Sequence, residues 1–302
     1  MATWVPEPGE TLLARDAIVF ATGTAPTVSG KRWFRDHQRH DIQGELPGWP
    51  DGPEFVPSPE TDEQPVRKAG MFGLRAAYVL VGGALEALGG TGSFLPGAGD
   101  RPGRPQDPDN EVHDFPVMWA TRDGIARTLP WQLDPGRCPD RYRTHAVVTD
   151  RRLLVLGLPG GDPGHDEVLW QVNRAEIARV ERMRFSGVGE DAKIQFVDGS
   201  WCRLAPPSAR RYWTVLRHLA HPTELVPLSA LTPRQRAYVE SYVTSVPDRD
   251  LTAEPVITRR PSGKFLIEVA TDEPVSADSG VVKQYWFMNK HGGRGAFDPG
   301  DL

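Results

Sequence analysis

Thr144-His-Ala-Val-Val-Thr-Asp-Arg-Arg-Leu-Leu-Val-Leu-Gly157 holds two short aliphatic runs, 145–148 and 153–156, around the polar quartet Thr149-Asp-Arg-Arg152. Runs of this length are too short for a helix and fit strands. Asp150 suits the turn between them, because its carboxylate can accept hydrogen bonds from nearby backbone N–H groups. Residues 158–164 (Leu-Pro-Gly-Gly-Asp-Pro-Gly) form a loop by composition, and strand character resumes over 167–172. Residues 175–185 fit either a helical turn through Ile177 and Val180 or a two-faced strand. A short turn into a strand is the better fit, since Gly187 and Gly189 follow at once and 192–197 alternates polar and apolar. Asp198-Gly199 predicts a two-residue hairpin with positive φ at both positions, and 200–204 returns as its partner. Pro206-Pro207-Ser208 opens a helix whose apolar stripe is Tyr212, Val215, Leu216 and Leu219, with Arg210, Arg211 and Arg217 largely off it. His221-Pro222 ends that helix.

Successive antiparallel strands closed by one amphipathic helix predict an α+β, mainly β fold: a small curved or barrel-like sheet with the helix over an open end. Thr149-Asp-Arg-Arg-Leu153, Val172-Asn-Arg-Ala-Glu-Ile-Ala-Arg-Val180, Ile194-Gln-Phe-Val-Asp-Gly-Ser200 and the closing helix resemble bacterial pleckstrin-homology-like (PH-like) and GRAM-type domains over the middle third of the chain. The resemblance implies a seven-stranded, antiparallel, barrel-like sheet with a C-terminal capping helix. Such domains serve in lipid, peptide and protein binding, so fold alone does not set function.

The expected organisation has four parts. Residues 1–22 supply the first strand, over 10–21, and its Gly9-Glu-Thr-Leu-Leu-Ala14 opening resembles the first strand of the same family. Residues 23–111 are an insertion: an irregular loop carrying Trp33, Phe34, Trp49 and Phe55, a helix over about 69–88, and a flexible linker over 89–110. The charge-free run 76–85 is too short to span a bilayer, and the helix reads as packed on the sheet through its small residues rather than as interfacial. Residues 112–222 are the main domain, with short strands at 115–119 and 124–129. Residues 223–302 are an extension. Its helix, about 233–245, has Thr232 as cap, Pro233 at the first position and Gln235 completing a capping box. A hairpin turning at Pro261-Ser-Gly263, a strand at 281–288 and a frayed tail from Gly292 complete it.

The 302 residues are 39% hydrophobic and 25% charged, which suits a packed core, while 31 Gly and 29 Pro call for long loops. Two cysteines do not make a disulfide framework, and the first residues lack a basic start, apolar centre and small-residue cleavage site, so a cytoplasmic protein is expected. Residues 137–221 hold fourteen Lys/Arg against ten Asp/Glu, a local +4 in a chain of net charge −5. These arginines read as solvated strand and helix faces.

No catalytic set, cofactor motif or metal cluster emerges. The pairs His218/His221 and His37/His40 lack neighbouring Cys ligands or a Glu at metalloprotease spacing. There is no G-x-S-x-G elbow and no P-loop, and Gly187-x-Gly189 lacks a third glycine. Cys138 has no nucleophile signature, and Cys202 sits in a strand as a core residue. No recognition-helix, zinc or aromatic strand pattern points to nucleic acid. The expectation is a non-catalytic binding or scaffold protein, with a protein or peptide on a sheet edge or in the groove beside Tyr212, Val215, Leu216 and Leu219. The alternative is a peripheral protein of the inner membrane face that binds anionic lipid through Arg141, Arg143, Arg151 and Arg152, whose planar forks suit phosphate. A third reading is an enzyme whose site is assembled from residues far apart in sequence.

Overall fold

The structure, a computed structural model, describes residues 3–21, 34–38, 40–45, 117–135, 137–186, 189–206, 212–296 and 298–301. The helix expected over 69–88, the linker over 89–110 and the expected helix opening at 207–208 lie outside them. Along the chain run β1 (Leu12–Ala17), β2 (Val19–Phe20), β3 (Phe34–Arg35), β4 (Met118–Trp119), β5 (Arg143–Thr149), β6 (Arg152–Leu158), β7 (Glu167–Asn173), β8 (Ile177–Ser186), β9 (Gly189–Phe196) and β10 (Trp201–Ala205). Then follow helix α1 (Tyr212–Leu219), β11 (Glu224–Leu225), helix α2 (Pro233–Ser245), β12 (Val256–Arg259), β13 (Phe265–Ala270) and β14 (Lys283–Met288). The fold is α+β and mainly β. Its strands form three sheets, ordered β1-β5-β6-β7, β3-β4-β10-β9-β8 with β2 also on β10, and β11-β12-β13-β14. None of these closes into a barrel among the described residues.

The chain divides into two units that interleave in sequence: Met1–Ala17, His145–Arg174 and Trp213–Leu302 make one, and Ile18–Thr144 and Ala175–Tyr212 the other.

In the first unit, β1 lies antiparallel to β5 and β7 to β6. Thr149 makes the turn between β5 and β6: its Oγ1 accepts from the N–H of Arg151 (3.1 Å) and of Arg152 (2.9 Å). Asp150 reaches instead to β1, accepting from the Thr11 N–H at 2.8 Å. Val147, Leu154, Leu156 and Leu158 pack with Trp4 and Leu12. The C-terminal sheet is antiparallel throughout. Alternation puts Ile257, Phe265, Ile267 and Met288 on one face, where they pack with Val239 and Tyr242 of α2. The capping box at the start of α2 forms as the sequence predicts: Thr232 Oγ1 accepts from Gln235 N–H, and Gln235 Oε1 accepts from Thr232 N–H.

Arg174–Glu176 is a 3₁₀ turn and β8 follows it into the second unit at Ile177, the turn-then-strand order read from the sequence. The β9–β10 connection departs from the type I′ turn. Gly199 has φ +83°, but Asp198 does not join it in the positive-φ region. Gly199 N–H donates to Phe196 O and Phe196 N–H donates to Ser200 O, which is a three-residue loop with a glycine bulge. Asp198 is thereby freed to bind outward. Its Oδ2 accepts from Ile125 N–H (2.6 Å), and Ser200 Oγ accepts from Ala126 N–H (3.0 Å). With those donors satisfied by side chains, the strand expected over 124–129 is instead the 3₁₀ turn Ile125–Thr128.

Candidate functional site

The residues singled out by sequence do not make an open site. Val215, Leu216 and Leu219 on α1 are 5%, 8% and 6% exposed, so this stripe is core and offers no groove; the Tyr212 side chain lies outside the described residues. Among the four arginines, Arg141 and Arg143 belong to one unit and Arg151 and Arg152 to the other. Arg141 is exposed at φ +59°, and Arg143 donates to Tyr142 O. Arg151 donates to Gly9 O at 2.6 Å. Arg152 is held by Glu10 through Nε and Nη2, both at 2.9 Å, and by Glu7 at 2.7 Å. This bond to Arg152 is the main force holding the Glu10 carboxyl down at about 2, against the effect of burial. Arg152 therefore anchors the chain ahead of β1 and has little left for a phosphate.

The site with unspent binding capacity lies along β14, the last strand of the C-terminal sheet. Its register sets which main-chain groups face outward. Thr271 N–H donates to Val282 O, so Val282 and the residues in phase with it, Gln284 and Trp286, turn toward β13. Val281, Lys283, Tyr285 and Phe287 turn away. The Val281 N–H is taken by Arg15 O (3.0 Å), and Phe287 O accepts from Gly295 N–H (2.7 Å). Between these closures, the N–H and C=O groups of Lys283 and Tyr285 face outward beyond the sheet edge.

A pocket of about 970 Å³ runs along this window, lined among others by Arg217, Lys283, Tyr285, Trp286 and Arg294. Tyr285 is 51% exposed. The Arg217 guanidinium lies 4.8 Å from the Tyr285 ring centre, and that of Arg294 lies 4.6 Å from the Trp286 ring centre. Trp286 is fixed by stacking on Tyr242 (5.9 Å) and by donating its Nε1–H to Tyr238 Oη (2.8 Å). Beneath the pocket sits Glu268, fully buried on β13 and directly across from Tyr285. Arg217 Nη2 donates to its Oε1, and His218 Nε2 lies 2.9 Å from its Oε2. Burial works to raise the Glu268 carboxyl, but His218, Arg217 and Lys283 outweigh it and hold the group below the usual range. Burial pushes His218 below its ordinary value, against the pull of Glu268. The ammonium of Lys283 is enclosed, donating to Leu12 O and Leu13 O at 3.0 Å.

This arrangement can hold an anion and extend a sheet. Among the described residues no group of three or more His, Cys, Asp or Glu is placed to hold a metal ion. Burial raises the Cys138 thiol to about 11 and pushes Cys202 well above its ordinary value, so neither is an activated nucleophile. Arg217, Glu268, Lys283 and Arg294 were missed as a site because they come from separate elements, α1, β13, β14 and the segment after β14, and no local sequence pattern links them. The Val281–Met288 strand reading alone pointed near it. No helix among the described residues is long and apolar enough to cross a membrane. No protein-family model, no curated protein and no solved structure matches this chain.

Proposed function

We propose that this chain is a non-catalytic binding protein that takes an extended peptide along the open window of β14. The observation that carries this reading is the outward-facing main chain of Lys283 and Tyr285 beside a pocket lined by aromatic and cationic side chains. Main-chain hydrogen bonds at a sheet edge supply affinity without regard to sequence, and flanking pockets select side chains. Both ends of the window are closed, by Arg15 O at Val281 and by Gly295 N–H at Phe287, so only a short segment is accommodated. The closures and the inward Lys283 side chain also protect the sheet from indiscriminate pairing. The PH-like reading belongs to the same proposal, supported by antiparallel strands followed in sequence by the helix α1. So does the expected cytoplasmic location.

The test is selection of random linear heptapeptides on the full chain, with affinities then measured on the native protein and on Tyr285→Pro. Proline removes an N–H that β13 does not use, at an edge position where it is tolerated. Selected peptides should bind the native chain and lose binding to the variant. Equal binding to both would contradict the proposal. So would binding to anionic vesicles with no selected peptide, which would favour the arginine-patch alternative.

A further inference from the structure

We infer that the peptide held on β14 carries acidic side chains at alternate positions, a claim that rests on the edge-binding reading above. Charge in the wall of the pocket is unbalanced. Arg217 is buried in the wall of the pocket, half-buried Lys283 turns its ammonium inward, and only one carboxylate, Glu268, lies among them. Lys283 Nζ is bonded to two carbonyl oxygens, which satisfy its donors without neutralising its charge. Arg260, buried nearby, donates to the Arg217 main chain and is balanced by Asp301. Arg294 adds a further cation at the rim, and no acidic residue lines the pocket. Buried like charges with a single counter-ion are costly, and a ligand carboxylate relieves that cost.

Sheet geometry converts this imbalance into a sequence preference. Cross-strand pairing puts Lys283, Tyr285, Leu266 and Glu268 on one face and Gln284 and Trp286 on the other. A strand added outside β14 continues both faces. Its alternate side chains fall beside Lys283, Tyr285 and Arg217, where an acid is favoured. The intervening ones fall beside Trp286, where an apolar group is favoured.

The probe is a fluorescein-labelled heptapeptide, Thr-Val-Glu-Val-Glu-Val-Thr, compared with its counterpart bearing Gln for both Glu, by anisotropy on the full chain at low and high salt. At low salt the acidic peptide should bind about tenfold or more tighter, and high salt should narrow the gap. Arg294→Glu, a change at an exposed position on the Trp286 face that leaves the buried Arg217–Glu268 pair intact, should weaken the acidic peptide more than the Gln peptide. Equal binding of the two peptides, lost in Tyr285→Pro, overturns the acidic preference while the edge reading stands. Acidic binding that survives Tyr285→Pro overturns the edge reading on which the inference rests. Binding of neither peptide overturns the inference.

Discussion

An ideal Cβ on Gly280 would lie 1.7 Å from Arg15 O and 2.7 Å from Asp16 Cα, both of them main-chain atoms that cannot swing aside. The segment leading into β14 thus touches β1 backbone to backbone, a contact fixed by the Val281–Arg15 hydrogen bond. Gly280→Ala should destabilise the fold by about 2–3 kcal/mol or more, read as a lowered midpoint in denaturant. A second constraint is Arg15, whose guanidinium makes paired bonds of 2.8 and 2.7 Å to Asp166, both residues buried. Asp166→Ala strands that cation and should cost about 3–5 kcal/mol. His145 completes the group. Burial lowers it to about 4, and its Nδ1 accepts from Arg15 Nε while Nε2 faces Ala277 O, so the folded chain holds it neutral. The unfolded chain protonates it near its ordinary value of about 6.5. Between those values the unfolded state binds the extra proton, so stability falls as pH drops from about 6.5 to 4, by roughly 3 kcal/mol. Denaturant melts across that window should show the slope in the native chain, and it should flatten in His145→Gln.

At the scale of elements, what the sequence made legible was local. Thr232, Pro233 and Gln235 announce the start of α2 because a capping box is closed entirely within four residues. Thr232→Ala should lower stability by about 1 kcal/mol, measured as a fall in Tm, because Gln235 N–H then loses its acceptor. The β5–β6 and β12–β13 turns were placed correctly for the same reason, and Gly263 at φ +78° needs no distant partner to explain it. Where a donor's partner lay far along the chain, local reading failed. Asp150 serves Thr11, and the Ile125 and Ala126 N–H groups are claimed by Asp198 and Ser200, which turns a plausible strand into a 3₁₀ turn. The α1 stripe was legible as apolar. Periodicity cannot say whether such a stripe is covered by the chain itself, and here Val215, Leu216 and Leu219 are.

At the scale of the molecule, the two units interleave, so the strands of one sheet arrive from distant segments, while the pocket draws on separate elements of the single stretch Trp213–Leu302. That is why Arg217 of α1, Glu268 of β13, Lys283 of β14 and Arg294 beyond it could not be read as a group, while the adjacent pair Arg151 and Arg152 drew attention that its ties to Gly9, Glu10 and Glu7 do not reward. The fold gives the edge strand β14 two outward residues between closed ends, and the proposed function rests on that window. Its most direct test is backbone amide exchange on the full chain, free and with a selected heptapeptide bound. The Lys283 and Tyr285 amides should slow markedly on binding while Gln284 and Trp286, already directed at β13, change little. A bound peptide that leaves the Lys283 and Tyr285 amides exchanging as in the free chain would contradict it.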